Sequence, residues 1–213
     1  MSVRAFLNLD LKILDWLSLK VKGDIYKLYT TNESKVMATG ASKYDGAAYK
    51  IHENKKDQYK ITGMLTANHS FDDFNISGSV AVEQWDTKRG YHKTNSENGL
   101  RVPGLFDMTN SVNKATTEVR YNTDRKRINS IYAFANMDYK GVYFLDITGR
   151  NDWSSALIYE NGTGHTSYFY PSVGASWLFA EGLRDAIPEF ISFGKLRASY
   201  AIVGNDCAPY LTT

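Results

Sequence analysis

The sequence predicts an all-β chain: an antiparallel up-and-down meander whose strands belong to part of a transmembrane β-barrel, about eight strands of a larger one. Three observations carry this. Apolar and polar residues alternate with period two, as in Leu7, Leu9, Leu11 and Ile13 against Asn8, Asp10 and Lys12, which is the signature of a strand with two unlike faces. The alternating runs mostly reach or exceed the roughly 9–11 residues that a tilted strand needs to cross a bilayer, and all exceed the 5–6 typical of globular sheets. The connections between them are short at one end and long at the other, the arrangement of outer-membrane barrels.

Eight strands are expected in order, at 3–14, 17–30, 58–71, 74–86, 126–139, 142–150, 167–179 and 191–203. The first two are separated only by Asp15-Trp16, the next two by Asp72-Asp73, and the fifth and sixth by Lys140-Gly141. Each is a tight turn, and Asp and Gly suit the left-handed backbone such turns require. A somewhat longer connection, 180–190, lies on the same end. The opposite end carries 31–57, 87–125 and 153–166, rich in Asn, Ser, Gly, Thr and charge, read as three long extracellular loops because irregular segments of this length are uncommon in compact domains. Within the second of them, 116–121 alternates and extends the fifth strand.

One face of the sheet reads Leu17, Leu19, Val21, Gly23 and Ile25, then Ile61, Gly63, Leu65 and Ala67, then Ile76, Val80 and Val82, then Ile131, Ala133, Ala135 and Met137, then Leu196, Ala198, Tyr200 and Ile202. The other carries Lys60, Thr62, Asn68, Glu83, Asn136, Asp138, Lys195 and Arg197. Water must wet that second face, since unpaired buried charge is costly. Aromatic residues gather at strand ends, with Trp16, Phe71, Phe74, Tyr139, Trp177 and Phe179 near the short turns and Tyr26, Tyr29, Tyr59, Trp85 and Tyr168 near the long loops. Two such belts suit two membrane interfaces. The alternation alone also fits a soluble, lectin-like sandwich, although Gly63, Gly78, Gly149 and Gly174 fall inside strands more regularly than a sandwich needs.

Composition narrows the function classes. One cysteine, Cys207, excludes an internal disulfide, and a net charge of +2 with both signs interspersed gives no nucleic-acid footprint. No run approaches the 18 apolar residues of a spanning helix, and residues 1–6 lack the parts of a secretory signal, so an exported parent would make this chain a piece of it. The four histidines, His52, His69, His92 and His165, show no metal-ligand spacing, and three of them fall in the expected loops. Asp72-Asp73 is a turn rather than an acid/base pair, and Gly162-Thr163-Gly164 precedes a strand, not a helix, so it is no phosphate cradle. No catalytic residue, cofactor site or metal site is expected.

The segments YKGVYFLDITGRNDWSS (139–155), SYFYPSVGASWLF (167–179) and ISFGKLRASYAIVGND (191–206) closely resemble TonB-dependent outer-membrane receptors of the SusC/RagA type, and LRVPGLFDMTNS (100–111) looks like an extracellular loop of the same family. The resemblance implies a barrel of about 22 strands with an N-terminal plug, located in the cell outer membrane. It implies import of glycans or peptides, powered through TonB, with a SusD-like surface lipoprotein as partner. Residues 1–213 then form a central part of the barrel, with the plug domain and closing strands outside it. A small complete eight-strand outer-membrane barrel remains a further alternative.

The sharpest constellation is Arg150, Asn151, Asp152, Trp153 and Ser154. As a ligand site it offers charge and a stacking ring for a sugar. As structure, Arg and Asp pair to hold a tight loop beneath the rim, the preferred reading. Tyr91, Asn95, Asn98, Phe106 and Asn110 are loop residues that suit contact with a glycan or the lipoprotein, against the plainer reading of solvated loop filler.

Overall fold

The computed structural model describes residues 1–37, 47–157, 165–188, 190–204 and 206–207. Eight strands follow in chain order: β1 (Ser2–Leu14), β2 (Leu17–Val36), β3 (Ala48–Phe71), β4 (Phe74–Leu100), β5 (Ser111–Tyr139), β6 (Tyr143–Ser154), β7 (Ser167–Trp177) and β8 (Leu196–Ala201). They form one sheet in the order β1-β2-β3-β4-β5-β6-β7-β8, a meander in which β1 and β8 are the two ends. Neither a second layer nor a β1–β8 pairing occurs among the described residues, so neither the sandwich nor the small closed barrel describes this chain.

The tight turns fall where the sequence puts them. Asp72 has φ +46°, and Lys140 and Gly141 have +56° and +65°, the left-handed pair whose twist matches the flanking strands. Asp138 Oδ1 accepts from Gly141 N at 2.7 Å and fixes the last of these. The β7–β8 connection contains one short helix, α1 (Phe179–Gly182).

Elsewhere the boundaries differ. Residues 31–36, 48–57, 87–100 and 111–125 are strand rather than loop, so two of the three expected long loops shrink. His52 lies in β3, and Tyr91, His92, Asn95 and Asn98 lie in β4. In the other direction β8 starts at Leu196 rather than 191 and is six residues long. Residues 162–164, and much of the third expected loop, lie outside the described residues.

The chain divides into two compact units. Unit 1 comprises Met1–Ala5, Ile25–Tyr59 and Thr87–Arg125, and unit 2 comprises Phe6–Asp24, Lys60–Asp86 and Lys126–Thr213. Unit 1 has a small dry core of Ala47, Tyr49 and Leu100, flanked by Ile51, Phe106 and Met108. Leu100 is fully buried. The loop that follows it is organised by Asn110, whose Nδ2 donates to the carbonyls of Val102 (2.8 Å) and Leu105 (2.7 Å) and whose Oδ1 accepts from Val102 N (3.0 Å). Asp107 caps the next turn by accepting from Thr109 N and Oγ1 at 2.8 and 2.6 Å, a capping use of a short carboxylate.

Unit 2 is inverted relative to an ordinary domain. Its large apolar side chains are outside, with Leu65 43%, Val80 53% and Leu196 59% exposed. Its buried positions are small or polar, among them Thr62, Ser79, Ala81, Ser130 and Ser154. The register explains this: Ile131, Ala133, Ala135 and Met137 of β5 stand opposite Asn151, Gly149, Ile147 and Leu145 of β6, and Ile147 stands opposite Val173 of β7, itself opposite Tyr200 of β8. A one-residue slip would turn all of these over together. Near the turns, Phe71, Phe74, Tyr139, Tyr143, Trp177 and Phe179 run ring to ring, with successive centroids 4.5–6.2 Å apart. Offset and edge-on contacts at such spacing are favourable beyond their area, and the row is the girdle expected of a barrel interface.

Candidate functional site

Residues 149–154 of the GRNDWSS motif lie in β6 rather than in a loop, and Ser155 begins the short 3-10 helix Ser155–Leu157, which corrects the expected tight loop at 150–154. Alternation therefore splits it. Arg150, Asp152 and Ser154 share the polar face with Tyr132 and Ser130, while Asn151 and Trp153 share the face of Ile131 and Ile147. Trp153 is exposed, and the Asn151 amide exchanges two hydrogen bonds with Ser167 Oγ on the neighbouring strand, at 2.8 and 3.0 Å.

Arg150 is the hub of the polar face. Its Nε donates to Asp152 Oδ1 at 2.7 Å, its Nη2 donates to Ser130 Oγ at 2.9 Å and Glu83 Oε1 at 3.4 Å, and its guanidinium lies 5.1 Å from the centre of the Tyr132 ring. Glu83 is nearly buried and is met from the other side by Lys60 Nζ at 3.0 Å and Thr62 Oγ1 at 3.2 Å. Four strands, β3 to β6, are thus tied across one face by two cations and two carboxylates. A guanidinium suits this position because its fork serves several acceptors in one plane.

A second cluster joins the segment after β8 to β5 and β6. Asp206 accepts from Lys126 Nζ at 2.8 Å and Ser154 Oγ at 2.7 Å, and Lys126 also donates to the Cys207 carbonyl at 2.6 Å. Cys207 Sγ donates to Ala156 O at 3.3 Å. Gly204 lies so close to Tyr170 that any Cβ there would enter the ring. Glu83 was on the expected polar face and Asp152 and Ser154 in the family-like motif, whereas Ser130, Tyr132 and Lys126 were not singled out, and pairing any of them requires the strand register.

In unit 1, Tyr91 donates its hydroxyl to Glu118. This bond raises the Tyr91 pKa and lowers that of Glu118. Arg120 sits over the Tyr91 ring at 5.9 Å. Phe106 packs on Tyr49 with centroids 6.1 Å apart, and Asn110 is buried with its amide engaged as above. Among the described residues no group of three or more His, Cys, Asp or Glu converges as metal ligands do, and no helix is long and apolar enough to cross a membrane.

A single sheet of long antiparallel strands, whose unit 2 part is apolar on one face and polar with ion pairs on the other, is the arrangement of a transmembrane barrel wall. The family model described as "TonB dependent receptor-like, beta-barrel" matches residues 2–204, and the chain belongs to that family of outer-membrane barrel receptors. The TonB-dependent receptor P26 of Formosa agariphila is 37% identical over 87 residues, 40% of this chain and 8% of that protein. Among solved structures, the RagAB peptide importer in its closed-closed state matches with a TM-score of 0.74 at 18% identity, over 96% of this chain and 23% of the matched chain. The open-open state matches with a TM-score of 0.66 at 17% identity, over 94% and 22%. At these identities the likeness concerns the fold. The chain spans under a tenth of the curated relative and under a quarter of the matched structures.

Proposed function

We propose that residues 1–213 are a central part of the barrel wall of an outer-membrane TonB-dependent transporter that imports glycans or other nutrients, peptides included, with a SusD-like lipoprotein as surface partner. The plug domain and the closing strands belong to the rest of that protein. The observation that carries the reading is the inverted unit 2, where a continuous apolar face has no covering layer among the described residues and the opposite face carries the Lys60–Glu83–Arg150–Asp152 ion pairs. Hydrocarbon solvates the first, and a water-filled lumen the second. The SusC/RagA-like motifs and the RagAB fold match support the partner and substrate class.

On this reading the Arg150–Glu83–Lys60–Asp152 network is a structural brace of the lumen wall, and the chain carries no enzymatic step. Asn110 and Phe106 hold the 101–107 loop for contact with substrate or lipoprotein rather than making that contact with their own engaged groups. Uptake of labelled oligosaccharides and oligopeptides by cells producing the full-length receptor tests the proposal. The reading requires uptake that stops when the receptor gene is deleted and when the proton gradient is collapsed. Unchanged uptake of every labelled glycan and peptide in the deletion strain would overturn it.

A further inference from the structure

The formal charge of +2 conceals a division between the two units. Unit 1 holds 14 Lys and Arg against 8 Asp and Glu, a formal +6, while unit 2 holds 11 against 15, a formal −4. Charge of one sign concentrated on a compact body raises the local concentration of the opposite ion and steers its approach.

Within unit 1 several cations gather around Tyr91. Lys56 of β3 lies over the Tyr26 ring at 5.9 Å, His52 meets Tyr91 edge-on with centroids 5.6 Å apart, and Arg120 of β5 covers Tyr91. Beside them is a hollow of about 160 Å³, lined among others by Asn54, Lys56, Arg89, Tyr91 and Asp124. Glu118 is already engaged by the Tyr91 hydroxyl and by Arg120 Nε at 3.4 Å. Neither Lys56 nor Arg89 has a carboxylate within ion-pair distance among the described residues, and Lys93 is close enough to help hold Glu118 ionised. Among the described residues Asp124 is the one carboxylate of the lining.

The geometry points to this hollow as a binding site for an acidic saccharide, a sugar ring bearing sulfate, phosphate or carboxylate. Arg89 and Lys56 would take the anionic group, the Asn54 amide a ring hydroxyl, and the Tyr91 ring the apolar flank of the sugar. Charge-assisted hydrogen bonds supply the recognition, with Arg the better fork and Lys a point charge. An aromatic ring beside an amide offers a sugar both an apolar platform and a hydrogen-bonding partner. The inference concerns binding alone and holds whether or not the receptor transports what it binds.

The test uses the full-length receptor in detergent, titrated with a sulfated dextran oligosaccharide, neutral dextran of equal length, lipopolysaccharide and oligoglutamate. Sulfated dextran should bind, neutral dextran should not, and affinity should fall steeply with added salt. The double variant Lys56→Gln, Arg89→Gln should bind about tenfold more weakly, and Arg89→Lys should recover part of the loss. Lys12→Gln, in unit 2, should change nothing. Competition by lipopolysaccharide that depends on Arg89 would assign the sugar to the cell's own outer leaflet, and its absence would assign it to soluble glycan; both keep the site. Oligoglutamate binding as tightly as sulfated dextran, or a double variant with unchanged affinity and an intact thermal transition, would overturn it.

Discussion

Arg150 shows how much one side chain can organise on a sheet face. It serves Asp152, Ser130 and Glu83 at once, so removing it leaves Glu83, only about a tenth exposed, with Lys60 and Thr62. Arg150→Met should lower stability by roughly 1–3 kcal/mol, the cost of stranding partners at a partly exposed ion pair, and Arg150→Lys should recover only part because the fork is lost. Thermal unfolding of the full-length receptor in detergent measures both. Gly194 makes a steric case of the same kind. A Cβ there would come within 2.2–2.7 Å of Phe179 ring carbons, so Gly194→Ala should force Phe179 or the β7–β8 connection to shift at a cost of about 1–3 kcal/mol, visible as a lower midpoint and faster proteolysis in 178–195. At Glu118 the sign of a pH effect follows from its bond to Tyr91. Its pKa is depressed in the folded chain, so its contribution is present at neutral pH and is lost as pH falls below the ordinary carboxylate range. Hydrogen exchange in the unit 1 parts of β4 and β5 should quicken on acidification, and Glu118→Gln should remove that component.

At the scale of elements, alternation marked the unit 2 strands because lipid on one side and water on the other sort residues cleanly. It failed for 31–36, 48–57 and 87–100, where sequences such as TNESKV and KRGYHKTNSEN are polar on both faces and leave no period-two contrast to find. What holds these strands is backbone pairing with polar side-chain support, as in Tyr49 N donating to Ser96 Oγ at 3.0 Å and the His92–Glu53 contact at 3.1 Å. Amide exchange should therefore be slow beyond residue 30 in β2 and before residue 58 in β3. Rapid exchange throughout those segments would restore the loop reading. The GRNDWSS motif was visible as a motif but not as a strand, since Gly149, Asn151 and Asp152 are poor strand formers. Its function as a hub depends on Glu83 and Lys60, 67 and 90 positions earlier in the chain, which only the register of β3 to β6 brings to it. The separation of charge between units was hidden for a similar reason, because unit 1 is assembled from three separate segments.

For the whole molecule, the energetics turn on the solvent of the apolar face. Each Leu, Val or Ile left in water forgoes about 1.5–3 kcal/mol, and with Leu9, Ile61, Leu65, Val80, Val82, Ile131, Ile147, Val173 and Leu196 all exposed, water alone is a poor solvent for this chain. A cation placed on that face near mid-bilayer should cost about 2–4 kcal/mol, so Val80→Arg should impair assembly while Ser79→Thr, on the opposite face, is tolerated. The most direct measurement is nitroxide accessibility in the full-length receptor in lipid, with Cys207 replaced by Ser and single labels at Val80, Ala133 and Leu196 against Thr62, Glu83 and Arg197. The first three labels should be relaxed by oxygen dissolved in the bilayer and shielded from a water-soluble nickel chelate, and the second three the reverse. Labels at Val80, Ala133 and Leu196 that are shielded from both reagents would place that face in a dry protein interior and contradict its contact with lipid.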